Sequence, residues 1–233
     1  MSRKGSYLTT DEAMRIAILE GARGAPFVSP NPQVGCVILD SESRFLSSGY
    51  HEVYGGPHAE VNALRGLTED ELQGAHVVVT LEPCAHQGKT PSCAIELTKH
   101  KIAKVTYGLK DPNPVVSGKG AEILKNAHIQ VNEYLAQETI FQKEIKKDLE
   151  ELAEIFLCNQ IQKKPFVAVK LASSLDGQIA LKNGQSQWIT GEKSRLYNHY
   201  LRACYDALLV GGRTIQLDNP SLNVRYPGLK KQN

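Results

Sequence analysis

The chain has 233 residues, 41% of them hydrophobic and 22% charged, and its formal net charge is +2. These values are typical of globular proteins and exclude disordered and fibrous classes, while the length allows one large domain or two small ones. The sequence shows neither an apolar run of about 20 residues, which a membrane span needs, nor an apolar stretch after the N-terminal charges, as in a secretory signal. We therefore expect a cytoplasmic protein that does not contact a membrane.

The positions of the charged residues and cysteines indicate which partners and which thiol state to expect. Basic residues are scattered among acids, without the concentrated stripe that is typical of nucleic-acid binding, so nucleic acid is not an expected partner. The five cysteines are odd in number and widely spaced, which favours reduced thiols over a disulfide framework.

The first 135 residues or so alternate between helical and strand patterns. Thr9 and Glu12 form a predicted capping box for an amphipathic helix that ends near Gly21. Short apolar runs predict strands, and 3.6-residue periodicity predicts helices. The predicted strands are 34–39, 45–50, 75–80, 105–108 and 129–134, and the further predicted helices are 59–64, 91–99 and 118–127. This alternation predicts a layered α/β sheet.

A charged segment, 137–160, has apolar residues at helical spacing and is predicted to form a bridging helix. We place a domain boundary near 160–165, which gives domains 1–160 and 161–233. In the second region, strands are predicted at 166–171 and 207–210, with a helix at 192–202 between them.

A possible metal site is formed by His58, Cys84 and Cys93. One imidazole and two thiolates suit Zn²⁺, and three protein ligands leave the fourth tetrahedral position open for water, as in catalytic sites. Each motif alone arises easily by chance, but their order, with Pro83 before Cys84, favours a catalytic zinc.

Glu60 stands where the zinc-deaminase signature has its proton shuttle. At the first turn of a helix, His58 and Glu60 can converge on a site beyond the helix end, although they are only two residues apart. Zinc lowers the pKa of its water to about 7, and a carboxylate that is not a ligand then moves the protons. These residues predict a hydrolytic deaminase.

The spacing between the thiolates departs from the usual Cys-x-x-Cys signature. Eight residues, 85–92, separate Cys84 from Cys93, and they place His86 and Lys89 in a loop at the mouth of the site. A cation there would suit a phosphorylated substrate.

Four motifs together resemble the bifunctional riboflavin-biosynthesis deaminase/reductase family. They are Asn31-Pro-Gln-Val-Gly-Cys-Val, Gly56-Pro-His-Ala-Glu-Val, Thr80-Leu-Glu-Pro-Cys-Ala-His-Gln-Gly-Lys-Thr-Pro-Ser-Cys and Asp111-Pro-Asn-Pro. The resemblance implies a three-layer α-β-α cytidine-deaminase-like domain followed by a partial dihydrofolate-reductase-like α/β domain. It also implies that the chain forms a homo-oligomer.

For the deaminase, the resemblance implies that the substrate is 2,5-diamino-6-(5-phosphoribosylamino)pyrimidin-4-one, a small phosphorylated pyrimidine. The amino group at C2 is replaced. Five residues stand where the family holds the pyrimidine and the ribose phosphate: Asn31, His51, Lys89, Asp111 and Asn113.

For the reductase, the resemblance implies NADPH as cofactor and reduction of the ribosyl group to ribityl. The residues facing the cofactor would be Ala172, Trp188, Thr214 and Asp218. Those facing the substrate would be Ser186, Arg202, Leu222 and Arg225, with the arginines binding phosphate bidentately. The family's later glycine-rich turn and substrate carboxylate do not occur in this sequence, so we expect deamination but not complete reduction by this chain.

Two other functions remain open from the residues alone. A tRNA or nucleoside deaminase would use the same zinc chemistry, and for RNA it would present a basic, aromatic-lined surface. A noncatalytic zinc module for a partner protein would tolerate loss of Glu60.

Overall fold

The computed structural model describes residues 4–86, 90–113, 117–136 and 139–229, with the backbone alone at Phe141. The chain divides into two compact units, Met1–Phe166 and Val167–Asn233. In the first unit the elements are α1 (Thr10–Ala22), β1 (Gly35–Leu39), β2 (Phe45–Tyr50), α2 (Ala59–Leu64), β3 (His76–Leu81), α3 (Cys93–Thr98), β4 (Lys104–Leu109), α4 (Lys119–Asn126), β5 (Gln130–Glu133), a 3-10 turn (Tyr134–Ala136), α5 (Ile140–Leu152) and α6 (Glu154–Gln162).

The sheet of the first unit is mixed, with the strand order β2-β1-β3-β4-β5. β1 runs antiparallel to β2 and β3, whereas β3, β4 and β5 are parallel. Parallel neighbours need crossover connections, which α3 and α4 supply. The carboxyl ends of β3 and β4 therefore lie at the same edge of the sheet, which is where Cys84 and Asp111 follow these strands.

Both faces of the sheet are covered by helices. Alternate side chains of a strand point to opposite faces, so Cys36 and Ile38 belong to one core while Val37 and Leu39 belong to the other. The first core includes residues of α2, α3 and α4, and the second includes residues of α1 and α5. This arrangement confirms the three-layer α-β-α fold class.

The helix and strand predictions for this unit agree closely with the structure. The capping box of α1 is present, with Thr9 Oγ1 accepting from the Glu12 N–H and the Glu12 carboxylate accepting from the Thr9 N–H. The helix predicted over 137–160 is confirmed as helical from Ile140 onward, but it consists of two helices, because Ala153, at φ −99° and ψ 8°, leaves the helical conformation and separates α5 from α6. Residues 137 and 138 of that prediction lie outside the described ranges.

The second unit contains two helices within its described residues, α7 (Glu192–Cys204) and α8 (Gly212–Asp218). The helix predicted at 192–202 is confirmed by α7. The strands predicted at 166–171 and 207–210 are wrong, since neither segment pairs with another strand in the described part of the chain. Val167, Val169 and Leu209 are 76%, 81% and 96% exposed, so burial does not supply the stabilisation that an apolar strand needs.

None of the helices in the described ranges combines the length and the hydrophobicity that a membrane span requires.

Candidate active site

The N-terminus of α2 places an imidazole and a carboxylate side by side. His58 is the N-cap residue, with extended backbone at φ −77° and ψ 171°, and Glu60 lies in the first helical turn. Extended backbone before a helix lets the N-cap side chain turn toward the helix end. Both groups thus reach the same region, although two residues within a helix would diverge.

The two cysteines come from the opposite side of this region. Cys84 follows β3, and Cys93 is the first residue of α3. Ser92, the N-cap of α3, donates its hydroxyl to the Cys84 carbonyl at 2.7 Å and accepts from the Ile95 N–H at 3.3 Å. The Ala94 N–H also donates to the Cys84 carbonyl, at 3.1 Å. These bonds close the long Cys84–Cys93 connection and bring the thiols together.

The three predicted ligands fit a zinc ion. Ligand atoms of His58, Cys84 and Cys93 all lie within 4.8 Å of one another. Nδ1 of His58 is 3.7 Å from Sγ of Cys84 and 3.2 Å from Sγ of Cys93. Tetrahedral zinc with ordinary bond lengths places nitrogen and sulfur ligands about 3.5 Å apart. The measured distances bracket this value.

The orientation of the His58 ring identifies which nitrogen would bind the metal. Nδ1 faces both thiols, whereas Nε2 lies 3.2 Å from Oγ1 of Thr90. With Nδ1 as the ligand atom, the ring hydrogen resides on Nε2, which donates it to the Thr90 hydroxyl. Metal-bound histidines usually donate their other ring N–H to a neighbouring acceptor in this way. Thr90 lies inside the Thr80–Cys93 motif, but no signal in the sequence indicates its contact with His58.

Electrostatic effects at the cluster favour a metal-ready thiolate. Hydrogen bonding from Cys93 and, more weakly, from His58 lowers the pKa of Cys84. The hydrogen bond to Cys84 raises the pKa of His58. Glu60 is 3% exposed, and this burial, together with the nearby Cys84, raises the pKa of its carboxyl group.

A cavity of about 380 Å³ opens beside the ligand cluster. His58, Cys84 and Glu60 line it, and so do four of the five residues predicted to hold the deaminase substrate: Asn31, His51, Asp111 and Asn113. The fifth, Lys89, lies outside the described residues.

His51 is buried beside the ring of His58. It is 3% exposed, and its ring centroid lies 5.1 Å from that of His58, edge to face. Burial lowers the pKa of His51. The ring therefore forms part of the cavity wall in its neutral form.

One wall of the cavity comes from a helix distant in sequence. Phe156 and Gln160 of α6 line the same space as Glu60 and Asn31. The sequence indicated Phe156 only as an apolar position on a helix, and no motif pointed to Gln160. Their signal is tertiary, because it depends on where α6 packs.

In the second unit, the residues predicted to contact NADPH lie in different elements. Thr214 and Asp218 belong to α8, and Ala172 lies in the non-helical stretch before α7. Trp188 is 70% exposed, with the guanidinium of Arg195 4.4 Å from its ring centroid. The exposed indole face thus stacks with a cation of the same unit.

The four residues predicted to contact the reductase substrate also lie in this unit. Arg202 is on α7 and donates to the Asn223 carbonyl at 3.3 Å. The Arg225 N–H is 3.3 Å from Nδ1 of His199, one helical turn from Arg202. In sequence, Leu222 lies between Arg202 and Arg225, and its φ is 51°. Ser186 precedes α7. Burial, and more weakly the charge of Arg225, lowers the pKa of Arg202. Both guanidinium groups donate to Asn223, that of Arg202 to the carbonyl oxygen and that of Arg225 to Oδ1.

Two family models match the chain. Residues 9–109 match the cytidine and deoxycytidylate deaminase zinc-binding region, and residues 165–233 match the RibD C-terminal domain.

Curated relatives match almost the whole chain. The riboflavin biosynthesis protein RibD of Actinobacillus pleuropneumoniae is 42% identical over 96% of this chain and 57% of its own length. The RibD protein of Escherichia coli strain K12 is 38% identical over 94% of this chain and 57% of its own. The chain thus spans somewhat more than half the length of these relatives.

Solved structures agree with this result. Acinetobacter baumannii RibD, form 1, superposes with a TM-score of 0.81 at 40% identity, over 94% of this chain and 59% of that one. A Thermotoga maritima diaminohydroxyphosphoribosylaminopyrimidine deaminase/5-amino-6-(5-phosphoribosylamino)uracil reductase superposes with a TM-score of 0.82 at 40% identity, over 94% and 60%.

Proposed function

Because the chain belongs to the RibD family of riboflavin biosynthesis proteins, we propose that residues 1–160 deaminate 2,5-diamino-6-(5-phosphoribosylamino)pyrimidin-4-one. The product is 5-amino-6-(5-phosphoribosylamino)uracil. The observation that carries the proposal is the convergence of His58, Cys84 and Cys93 beside Glu60 at one cavity.

The reaction is a hydrolysis at the C2 carbon of the pyrimidine. The oxygen of water bonds to this carbon, the bond to the amino group breaks, and ammonia leaves. Zinc, when bound by His58, Cys84 and Cys93, supplies the positive charge that makes water a nucleophile near neutral pH. Glu60 takes the proton of the attacking water and returns protons to the ring nitrogen and the leaving amine.

The cavity suits a small substrate. Its volume of about 380 Å³ lies within the usual range of small-molecule sites. We assign Asn31, His51, Asp111 and Asn113 to the pyrimidine and ribose phosphate, together with Lys89 from the Cys84–Cys93 loop.

We assign residues 161–233 to the reductase, on the basis of the match to the RibD C-terminal domain. Ala172, Trp188, Thr214 and Asp218 would contact NADPH. Ser186, Arg202, Leu222 and Arg225 would contact the deaminated substrate. Arg202 and Arg225, which both donate to Asn223, suit an anionic group such as the substrate phosphate.

The cellular setting is part of the same proposal. A net charge of +2 without a basic stripe favours a small phosphorylated pyrimidine over nucleic acid. We also propose a homo-oligomer that acts in the cytoplasm.

The deaminase proposal is tested with the Glu60→Gln variant. The variant should retain one zinc per chain but lose about 10²- to 10⁴-fold in ammonia release from the diaminopyrimidine, because it lacks the proton acceptor. The matched control is Glu12→Gln, which changes a carboxylate in the α1 capping box and should keep full activity.

Unchanged turnover in the Glu60→Gln variant would refute the proton-shuttle role. Two further outcomes would redirect the proposal. Ammonia release by the wild type from free cytidine, but not from the diaminopyrimidine, would indicate a nucleoside deaminase. Tight RNA binding that weakens steeply with salt would indicate RNA editing.

A further inference from the structure

The carboxylate of Glu82 is buried where β3 and β4 end. Glu82 is 5% exposed and directly follows β3. Its backbone N–H donates to the carbonyl of Leu109, at the end of β4, 2.8 Å away. Burying a carboxylate costs free energy unless hydrogen-bond donors surround it. The neighbouring polypeptide supplies those donors.

Three backbone N–H groups point at the Glu82 carboxylate. Those of Asp111 and Gly118 donate to Oε2, at 3.3 and 3.1 Å, and that of Ala121 donates to Oε1, at 3.4 Å. The donors come from both ends of the segment that joins β4 to α4. A single side chain thus holds the start and the finish of this segment.

At the C-terminal end of this segment, Glu82 takes the place of a helix cap. Gly118 is the N-cap of α4, and it makes no side-chain cap hydrogen bond. Ala121 is the third helical residue, whose N–H an N-cap side chain normally satisfies. Glu82 satisfies it from another strand, and its negative charge suits the positive end of the helix dipole.

At the start, the same carboxylate anchors residues that face the cavity. Asp111 is held through its backbone N–H, and its Oδ1 accepts from the Asn113 N–H at 2.8 Å. The Ser117 N–H donates to the Asn113 carbonyl at 2.8 Å. Asp111 and Asn113 both line the cavity, so their positions depend on a turn that Glu82 secures.

We propose that Glu82 is a positioning residue of the deaminase, which fixes the Asp111–Asn113 turn relative to the metal ligands. Only Pro83 separates it from Cys84, so one short segment carries a metal ligand and the anchor of the substrate turn. The inference rests on the proposed deaminase function and assigns Glu82 no contact with substrate.

The test is Glu82→Gln in the full chain. A glutamine replaces one acceptor oxygen with an NH₂ group, which would face N–H donors and repel them. We expect KM for the diaminopyrimidine to rise about tenfold or more, with kcat changed less than about threefold and one zinc retained. Amide hydrogen exchange at Asp111, Gly118 and Ala121 should accelerate.

Glu82→Asp is a second variant that keeps the charge but shortens the reach by one methylene. It should show the same changes at smaller amplitude, which keeps the proposal testable if Glu82→Gln does not fold. The control is Glu12→Gln, since Glu12 also accepts helix-terminal N–H bonds but lies at α1. We expect no change in KM or in exchange at Asp111.

Three outcomes separate the possibilities. Unchanged KM and unchanged exchange in both Glu82 variants would overturn the positioning role. Faster exchange with unchanged KM would leave Glu82 as a helix cap only and would also overturn it. If the wild type releases no ammonia from the diaminopyrimidine, yet Glu82→Gln accelerates exchange at Asp111, the proposed function fails while the anchoring of the turn stands.

Discussion

The side-chain nitrogen of Asn31 lies 3.1 Å from Nε2 of His51. Nδ1 of His51 is 3.0 Å from the Pro57 carbonyl oxygen and must therefore carry a hydrogen. Burial lowers the pKa of His51, so the ring is neutral and Nε2 is an acceptor. Asn31 consequently donates through its NH₂ group, which leaves its Oδ1 as an acceptor for a donor on the substrate.

The first prediction concerns this orientation. In His51→Phe the ring volume is kept but the acceptor is lost, so the Asn31 amide is free to rotate. We expect KM for the diaminopyrimidine to rise by about fivefold to a hundredfold, the effect of one buried hydrogen bond, with the zinc content unchanged. Steady-state ammonia release measures it.

A double-mutant cycle supplies the control for this prediction. If His51 acts through Asn31, His51→Phe should have little further effect in an Asn31→Ala background. Fully additive effects on KM would show that the two residues act independently.

The second prediction concerns the partner of the His58 ring. Thr90→Val keeps the shape of the side chain but removes the hydroxyl 3.2 Å from Nε2. Loss of the acceptor that binds the second ring nitrogen of a metal-bound histidine typically weakens metal binding by about 10- to 100-fold. Competition with a chromogenic chelator measures the zinc affinity.

Thr98→Val is the matched control for Thr90→Val. It removes a hydroxyl at the end of α3 that donates to the Ile95 carbonyl at 2.8 Å and makes no hydrogen bond to His58. Equal zinc affinities for the two variants would contradict the role of Thr90.

The third prediction concerns the close approach of α4 to the metal-ligand segment. A Cβ atom at Gly120 would lie 1.8 Å from the Pro83 carbonyl oxygen, a distance that forces α4 to move. We expect Gly120→Ala to lower the free energy of unfolding by about 1 to 3 kcal/mol, as overpacking does. Urea denaturation measures it.

Gly212→Ala provides the comparison for the third prediction. It introduces the same methyl group in the first turn of α8, where nothing lies within 4 Å of the position that the new Cβ atom would take. We expect little change in stability there. A loss as large as that in Gly120→Ala would show that steric contact with Pro83 is not the cause.

The fourth prediction is a pH dependence of stability that arises from His76. Burial, assisted by the charge of Lys104, lowers the pKa of His76 to about 4, and its Nε2 lies 2.8 Å from Oγ1 of Thr106. The unfolded chain, with a histidine pKa of about 6.5, binds the proton more tightly. The contribution of His76 is therefore complete above pH 6.5 and declines as pH falls toward 4.

Urea unfolding at several pH values between 7.5 and 4 tests this dependence. The wild type should lose up to about 3 kcal/mol through His76 in this range, and His76→Gln should lose correspondingly less. Parallel pH profiles for the two proteins would exclude His76 as the source.

The convergence of His58, Cys84, Cys93 and Glu60 was predictable because each lies in a local motif whose spacing suits zinc chemistry. Strands β1, β3 and β4 were predictable because their apolar runs are buried on both faces. Glu82, Thr90 and Gln160 were not, since their partners come from other segments and depend on packing. The predicted strands of the second unit failed because an apolar run specifies a strand only where neighbouring strands pair with it.

The contribution of α6 to the cavity determines how short a fragment of the first unit can be and still enclose it. The match to the deaminase zinc-binding region ends at residue 109, whereas Phe156 and Gln160 form part of the cavity wall. A fragment that ends at Leu152, after α5, would keep both cores, the three ligands and Glu60, but would open the cavity on one side. We therefore expect that a shorter fragment of the chain suffices for metal binding than for substrate binding.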